Sequence, residues 1–178
     1  MQIFSFGDYT DGIGFKVLEE RRVRASAGIM FILGLIAFIN GFVLSKFEII
    51  PYISGFLLLN FIIAVLVNPK FAPSYALAWI FVFRQSKLNI GAVQKRFAWS
   101  LGIGLSGLIF GLSLFLLTDV SYFEPVCFLC IICLLLLFFE SAFGICIGCK
   151  LYYLTLKIGI LKEPEEKPNC MGDACEVE

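Results

Sequence analysis

The chain has 178 residues and no histidine. That absence removes imidazole general bases, Ser-His and Cys-His nucleophile pairs, and every metal site that needs an imidazole ligand. Charge is scarce as well. Charged residues make up 16% of the chain, against about 25% in soluble domains. The fourteen cations equal the fourteen anions, so no global field attracts nucleic acid, which is excluded as a partner. There is no internal repeat and no low-complexity segment; no cleavable leader is expected, and the first apolar run is expected to be the targeting signal. What the chain has instead is apolar residues: 60% of the sequence, including twenty phenylalanines, with a mean hydropathy of +0.92. A domain this apolar lacks the polar residues to cover its own surface in water. The composition is that of an integral membrane protein.

Four apolar runs reach the ~20 residues that cross a bilayer core. They are Ala25–Leu44, Ile49–Val67, Ala98–Leu117 and Pro125–Phe143. A fifth, Phe71–Phe83, is shorter and holds Pro73 near its start, which suits an interfacial or re-entrant helix rather than a span. The expected fold is all-α: a polytopic bundle of four transmembrane helices with that short helix between the second and third. Orientation follows from Lys and Arg. Lys16, Arg21, Arg22 and Arg24 precede the first span; Lys70, Arg84, Lys87, Lys95 and Arg96 lie between the second and third; Lys150, Lys157, Lys162 and Lys167 follow the fourth. Only Lys46 falls in either remaining loop, so both termini are expected on the cytoplasmic side of the membrane. The organisation is then an N-terminal cytoplasmic segment (1–24), a membrane domain (25–160) and a flexible acidic tail (161–178). The outer loops, Ser45–Glu48 and Thr118–Glu124, are too short to form a binding domain.

Polar residues within the spans need partners. Asn40 and Asn60 each call for one interhelical hydrogen bond. Glu140 demands more, because a carboxylate at membrane depth is costly unless paired or protonated. Arg24 and Arg96 lie at similar depth and are its expected partners, in a structural ion pair or beside a proton-carrying acid. In the third span Ser100, Gly104, Gly107 and Gly111 recur on one face, which allows close approach of a helix from this chain or a second copy. A sliding or pore-lining face is the alternative.

Seven cysteines remain as reactive groups. Cys127, Cys130 and Cys133 lie at the outer end of the fourth span, Cys146 and Cys149 at its inner end, and Cys170 and Cys175 on the tail. Glu124-Pro125 reads as a helix start, which would put Cys127 in a first turn where free amides favour a thiolate. Cys127 and Cys130 are therefore a candidate outer dithiol, with Cys133 a packing residue; packing is the competing reading for all three. Gly144 and Gly148 interleave with Cys146 and Cys149, so the helix is expected to loosen or end there. That inner pair could form a disulfide, carry a persulfide or bind a soft metal. Two ligands are too few for a closed zinc site, but Cys170 and Cys175 on their tether would complete four.

Four stretches resemble an uncharacterised family of bacterial four-helix inner-membrane proteins, a domain of unknown function: EERRVRASAG (19–28), NPKFAPSYALAW (68–79), QKRFAWSLGIG (94–104) and ESAFGICIGCKLYY (140–153). The last holds the most specific element, an acid followed by FGxCxGC. The resemblance implies that Arg24, Pro73, Arg96, Phe97, Glu140, Cys146, Gly148 and Cys149 hold the family's characteristic positions. It implies no reaction and names no cofactor. Thioredoxin-like and rhodanese-like partners or fusions of some relatives hint at thiol or sulfur traffic. The outer PVCFLCIIC and the tail NCMGDAC depart from the family pattern.

Three functions follow as expectations. The first is a membrane thiol protein that passes electrons or sulfur through Cys146 and Cys149, with Cys127 and Cys130 as an outer dithiol. Cys130 and Cys146 are ~24 Å apart along a helix, and thiol exchange needs sulfur–sulfur contact, so the two pairs cannot react directly. The second is a carrier of Cu(I), Hg(II) or a similar soft ion. The third is an assembly or scaffold subunit of a homo-oligomer or larger membrane complex.

Overall fold

Backbone groups in hydrocarbon must bond to one another, and a continuous apolar helix does this within itself. A computed structural model, describing residues 6–9, 16–86 and 88–159, has four such helices, each long and apolar enough to cross a membrane. They are α1 (Glu20–Phe42), α2 (Ile49–Ile62, prolonged by a π-helical turn Ile63–Val67), α4 (Ala92–Leu116) and α5 (Phe123–Phe138, prolonged by a π-helical turn Phe139–Phe143). Between the second and third spans lies α3 (Pro73–Val82), and α6 (Ile147–Lys157) follows the fourth. At ten residues α3 is about 15 Å long, half a bilayer core. The all-α bundle with a short intervening helix is thus as expected.

The helices start earlier than the apolar runs. α1 begins at Glu20 rather than Ala25, and α4 at Ala92 rather than Ala98. Hydropathy marks where hydrocarbon begins, whereas Arg, Lys, Glu and Gln sustain a helix beyond it. Lys95 and Arg96 therefore belong to a helix and not to the loop that precedes it.

A small antiparallel sheet was not anticipated. Its strands are β1 (Asp8–Tyr9), β2 (Lys16–Glu19) and β3 (Asn89–Gly91), in that order, with Leu18 opposite Ile90. Strands of two to four residues are too short to show a period. The sheet has a clear mechanical role: β2 runs straight into α1 and β3 into α4, so pairing them sets the starts of both helices side by side.

The main core joins all four long helices through Val23, Ala27, Met30, Phe61, Trp99 and Leu137, and a smaller cluster of Ile50, Leu116 and Val126 closes the other end. Ile32, Leu59, Leu108 and Phe128 point outward, where lipid would cover them. Asn60 links three helices: its amide nitrogen reaches Met30 Sδ at 3.3 Å, and its oxygen accepts from Ser74 N–H at 3.0 Å, capping α3. Ser74 and Ser26 hydroxyls meet at 2.7 Å in the same buried spot. Asn40 makes no interhelical side-chain bond among the described residues and donates to Ile36 O of its own helix at 2.8 Å.

The glycine stripe of α4 does not provide the close packing expected of it within this chain. A methyl added at Gly104 or Gly111 would meet nothing within 4 Å, and one at Gly107 would touch only Leu58 at 3.7 Å. The tight contacts lie off the stripe. Gly102 faces the Phe61 ring, and α6 crosses α4 at Gly148, where an added methyl would stand 2.6 Å from Ala98 Cβ. A repeat selects a face of a helix but not what lies across from it.

Candidate functional site

The last span ends at Gly144, which takes a left-handed conformation (φ +70°). Glycine adopts this at no steric cost and so terminates helices. Its N–H and that of Ile145 both reach Phe139 O. The turn is held from α1: Arg24 Nη2 donates to Ala142 O at 3.0 Å, and Glu20 Oε1 lies 3.8 Å from Arg24 Nη1. Glu20 and Arg24 crowd Gly144, where an added methyl would sit 3.2 Å from each.

Two residues later the chain turns back into a helix, and Cys146 occupies its N-cap. N-caps are usually Ser, Thr, Asp or Asn, whose oxygens accept from the free amides of the first turn. Here sulfur does so: Cys146 Sγ accepts from Cys149 N–H at 3.3 Å, and Cys146 O accepts from Lys150 N–H at 3.1 Å. The expected loosening at the Gly144–Gly148 segment is thus an end and a restart. Gly144 makes the break, while Gly148 is inside the new helix and lets it lie against Ala98.

The two sulfurs are not equivalent. Cys146 is partly exposed and Cys149 is buried. The Cys149 thiol donates to Cys146, holding Cys146 below the ordinary thiol range against burial and the Glu140 carboxylate, with the Lys95 ammonium assisting. The same hydrogen bond, followed by burial, pushes the Cys149 thiol up while Lys95 pulls it down. One sulfur sits at a helix N-terminus with its ionisation eased, and the other lies behind it with its ionisation opposed.

Glu140 is paired, but with neither expected arginine. Its Oε1 lies 2.5 Å from Lys95 Nζ, and both side chains are largely buried. Arg96, one residue on, is exposed, and Arg24 is engaged with Glu20 and the Ala142 carbonyl. The reason is helical phase: Lys95 shares the inward face of α4 with Trp99, four residues later. Counting Lys95 as a loop cation hid it; extending the α4 pattern back from Trp99 would have found it. α6 is fastened to α4 by Gln94 Nε2 donating to Tyr153 OH at 2.9 Å and by the Phe97 and Tyr152 rings, 5.5 Å apart. Beside the site, an apolar cavity of about 180 Å³ runs into the bundle, with Cys146 and Glu140 among its lining. Nothing in the sequence announces it, because five helices contribute to its wall.

The outer cysteines are in a different setting. α5 begins at Phe123, so Pro125 is its third residue and Cys127 its fifth. Cys127 therefore lies past the first turn, where its amide is already used in the helix, contrary to expectation. The aromatic turn Val120–Tyr122 that precedes α5 supplied the earlier start. Cys130 packs against the outer cluster and Cys133 against the main core. All three are free thiols. Cys170 and Cys175 lie outside the described residues. Among the described residues no three His, Cys, Asp or Glu side chains are grouped to hold a metal ion, so the four-thiolate reading rests on the tail. No curated protein and no solved structure matches the chain. A family described as Domain of unknown function (DUF4395) matches residues 18–157.

Proposed function

The chain belongs to this family, and from that premise, which assigns no reaction, we propose that it is an integral membrane thiol protein exchanging electrons or sulfur through Cys146 and Cys149. In this reading Cys146 is the nucleophile and Cys149 the resolving thiol. Both termini face the cytoplasm of a bacterial inner membrane, and the partner there is a thioredoxin-like or rhodanese-like protein.

The observation that carries the reading is the convergence of the Cys149 thiol and amide on Cys146 Sγ at the start of α6. Exchange requires a thiolate to attack and a second thiol within contact to close the disulfide. Soft-metal capture, by contrast, requires both sulfurs as thiolates, and the asymmetry of the pair favours exchange. Lys95 and Glu140 supply charge beside the sulfurs and tie α4 to the helix break.

The test is thiol trapping in native membranes. Free thiols are blocked with a permeant maleimide, disulfides are then reduced and relabelled with a heavier reagent, and each cysteine is mapped by mass spectrometry. A Cys146–Cys149 disulfide that responds to reductant is expected, and Cys149→Ser should accumulate a mixed disulfide with the partner. Free labelling of both cysteines under oxidising and reducing conditions alike would overturn the reading.

A further inference from the structure

The cavity beside Cys146 is oriented in a way the dithiol alone does not require. Its wall is built by Phe61 of α2 and Trp99 of α4, with residues of α1, α5 and α6 around them. Leu101 of α4 and Leu151 of α6 also line it, and both are more than 40% exposed. They stand on the apolar outer surface, so the cavity opens sideways onto the face that lipid covers. Cys146 and Glu140 also line it, and Glu140 pairs with Lys95. At about 180 Å³ it exceeds the ~150 Å³ that suffices for one benzene ring.

We propose that this cavity binds the ring of a membrane quinone, which accepts the electrons of the Cys146–Cys149 dithiol. The proposal rests on the dithiol reading and names its oxidant. An acyl chain would fit the walls but would make no use of the Cys146 sulfur and the Glu140 carboxylate in the lining. A quinone offers an apolar tail for the lateral opening, a ring for the cavity, and an oxygen and an electrophilic carbon for its polar end.

The step balances. Cys146 Sγ bonds to a ring carbon. Cys149 gives up its proton and attacks Cys146 Sγ; the sulfur–carbon bond breaks with its electron pair passing to the ring. The dithiol becomes a disulfide, and the ring gains two electrons and, in net, two protons to become a quinol. Glu140 lines the cavity and pairs with Lys95, so the two supply charge and an acid–base group beside the ring.

The experiment uses the purified full chain, reduced, in lipid nanodiscs. Decylubiquinone is added, and quinone loss is followed by ultraviolet absorbance while the thiol state is read by mass spectrometry. Diamide oxidation of the same samples is the control. We expect one quinol per disulfide formed, with Leu101→Phe and Leu105→Phe, which narrow the cavity, each slowing the quinone reaction about tenfold and leaving diamide oxidation unchanged. Oxidation by diamide but not by quinone would overturn the quinone site and leave the dithiol standing. Equal quinone rates in wild type and both variants would also overturn it. Failure of either oxidant to give a reversible disulfide would sink the dithiol reading itself. A second readout needs no redox step. The chain has two tryptophans, so Trp79→Phe leaves Trp99 as the reporter. Combined with Cys146→Ser, it should show saturable quenching by decylubiquinone. Quenching by brominated acyl chains with no saturable quinone effect would assign the cavity to lipid and overturn the proposal.

Discussion

Cys127–Cys130 and Cys146–Cys149 share one spacing within one stretch of chain, yet the structure gives them different surroundings. The outer pair sits in an unbroken helix that carries no Lys or Arg, with its amides engaged in the helix ladder. The inner pair straddles a helix start, so an amide and a thiol both reach Cys146, and the Lys95–Glu140 pair lies alongside. What separates them is the left-handed Gly144 two residues upstream. The spacing of two cysteines sets their distance, whereas the backbone around them sets their reactivity.

Four experiments test that contrast, beginning with the largest effect. Cys146→Ser should abolish the reductant-sensitive disulfide of the inner pair, while Cys127→Ser and Cys130→Ser should leave its rate of formation within about twofold; thiol mapping on oxidant titration reads both. An equal loss from the outer substitutions would erase the distinction. Next, Lys95→Ala leaves Glu140 buried without a cation and should cost about 3–5 kcal/mol of unfolding free energy in detergent micelles. Lys95→Met combined with Glu140→Met should recover most of it. Gly148→Ala should cost about 1–3 kcal/mol, because its methyl meets Ala98 and lifts α6 from α4. Gly104→Ala, which meets nothing, should change thermal stability by no more than ~0.5 kcal/mol.

The smallest effect is in pH. An ordinary thiol ionises near 8.5, and only its thiolate alkylates. Cys146 lies below that range, so its labelling by iodoacetamide should already be fast at neutral pH and level off below about 8.5. Cys149 lies above it and should label only in alkali. A common profile for the two would show that the hydrogen bond between them does not form.

The four spans, the short α3 and the special character of the Cys146–Cys149 segment were legible because each is local: an apolar run, a proline near a short run, glycines among cysteines. Asn60 announced its interhelical bond for the same reason. The rest depended on what lies across a gap. Arg96 and Lys95 are neighbours in sequence, and only the phase of α4 about Trp99 turns one outward and the other onto Glu140. The start of α5 moved because a helix recruited Phe123 ahead of the proline. Gly104 and Gly111 stand bare because no helix among the described residues covers them, while Gly148, outside any stripe, lies against Ala98. The sheet and the cavity had no local signal at all.

The π-helical turn Phe139–Phe143 adds one more consequence. Such a turn is wider than a regular one, so the segment accommodates a residue that an ordinary α-helix would not. Because the wide turn absorbs that extra residue, removing Ser141 or Ala142 would let the segment close into a regular α-helix with Gly144 near its present phase. Replacing Glu140, by contrast, would leave the buried Lys95 without its carboxylate. This segment is therefore constrained in its acid and its glycine more than in its length, and relatives one residue shorter here would keep the inner site.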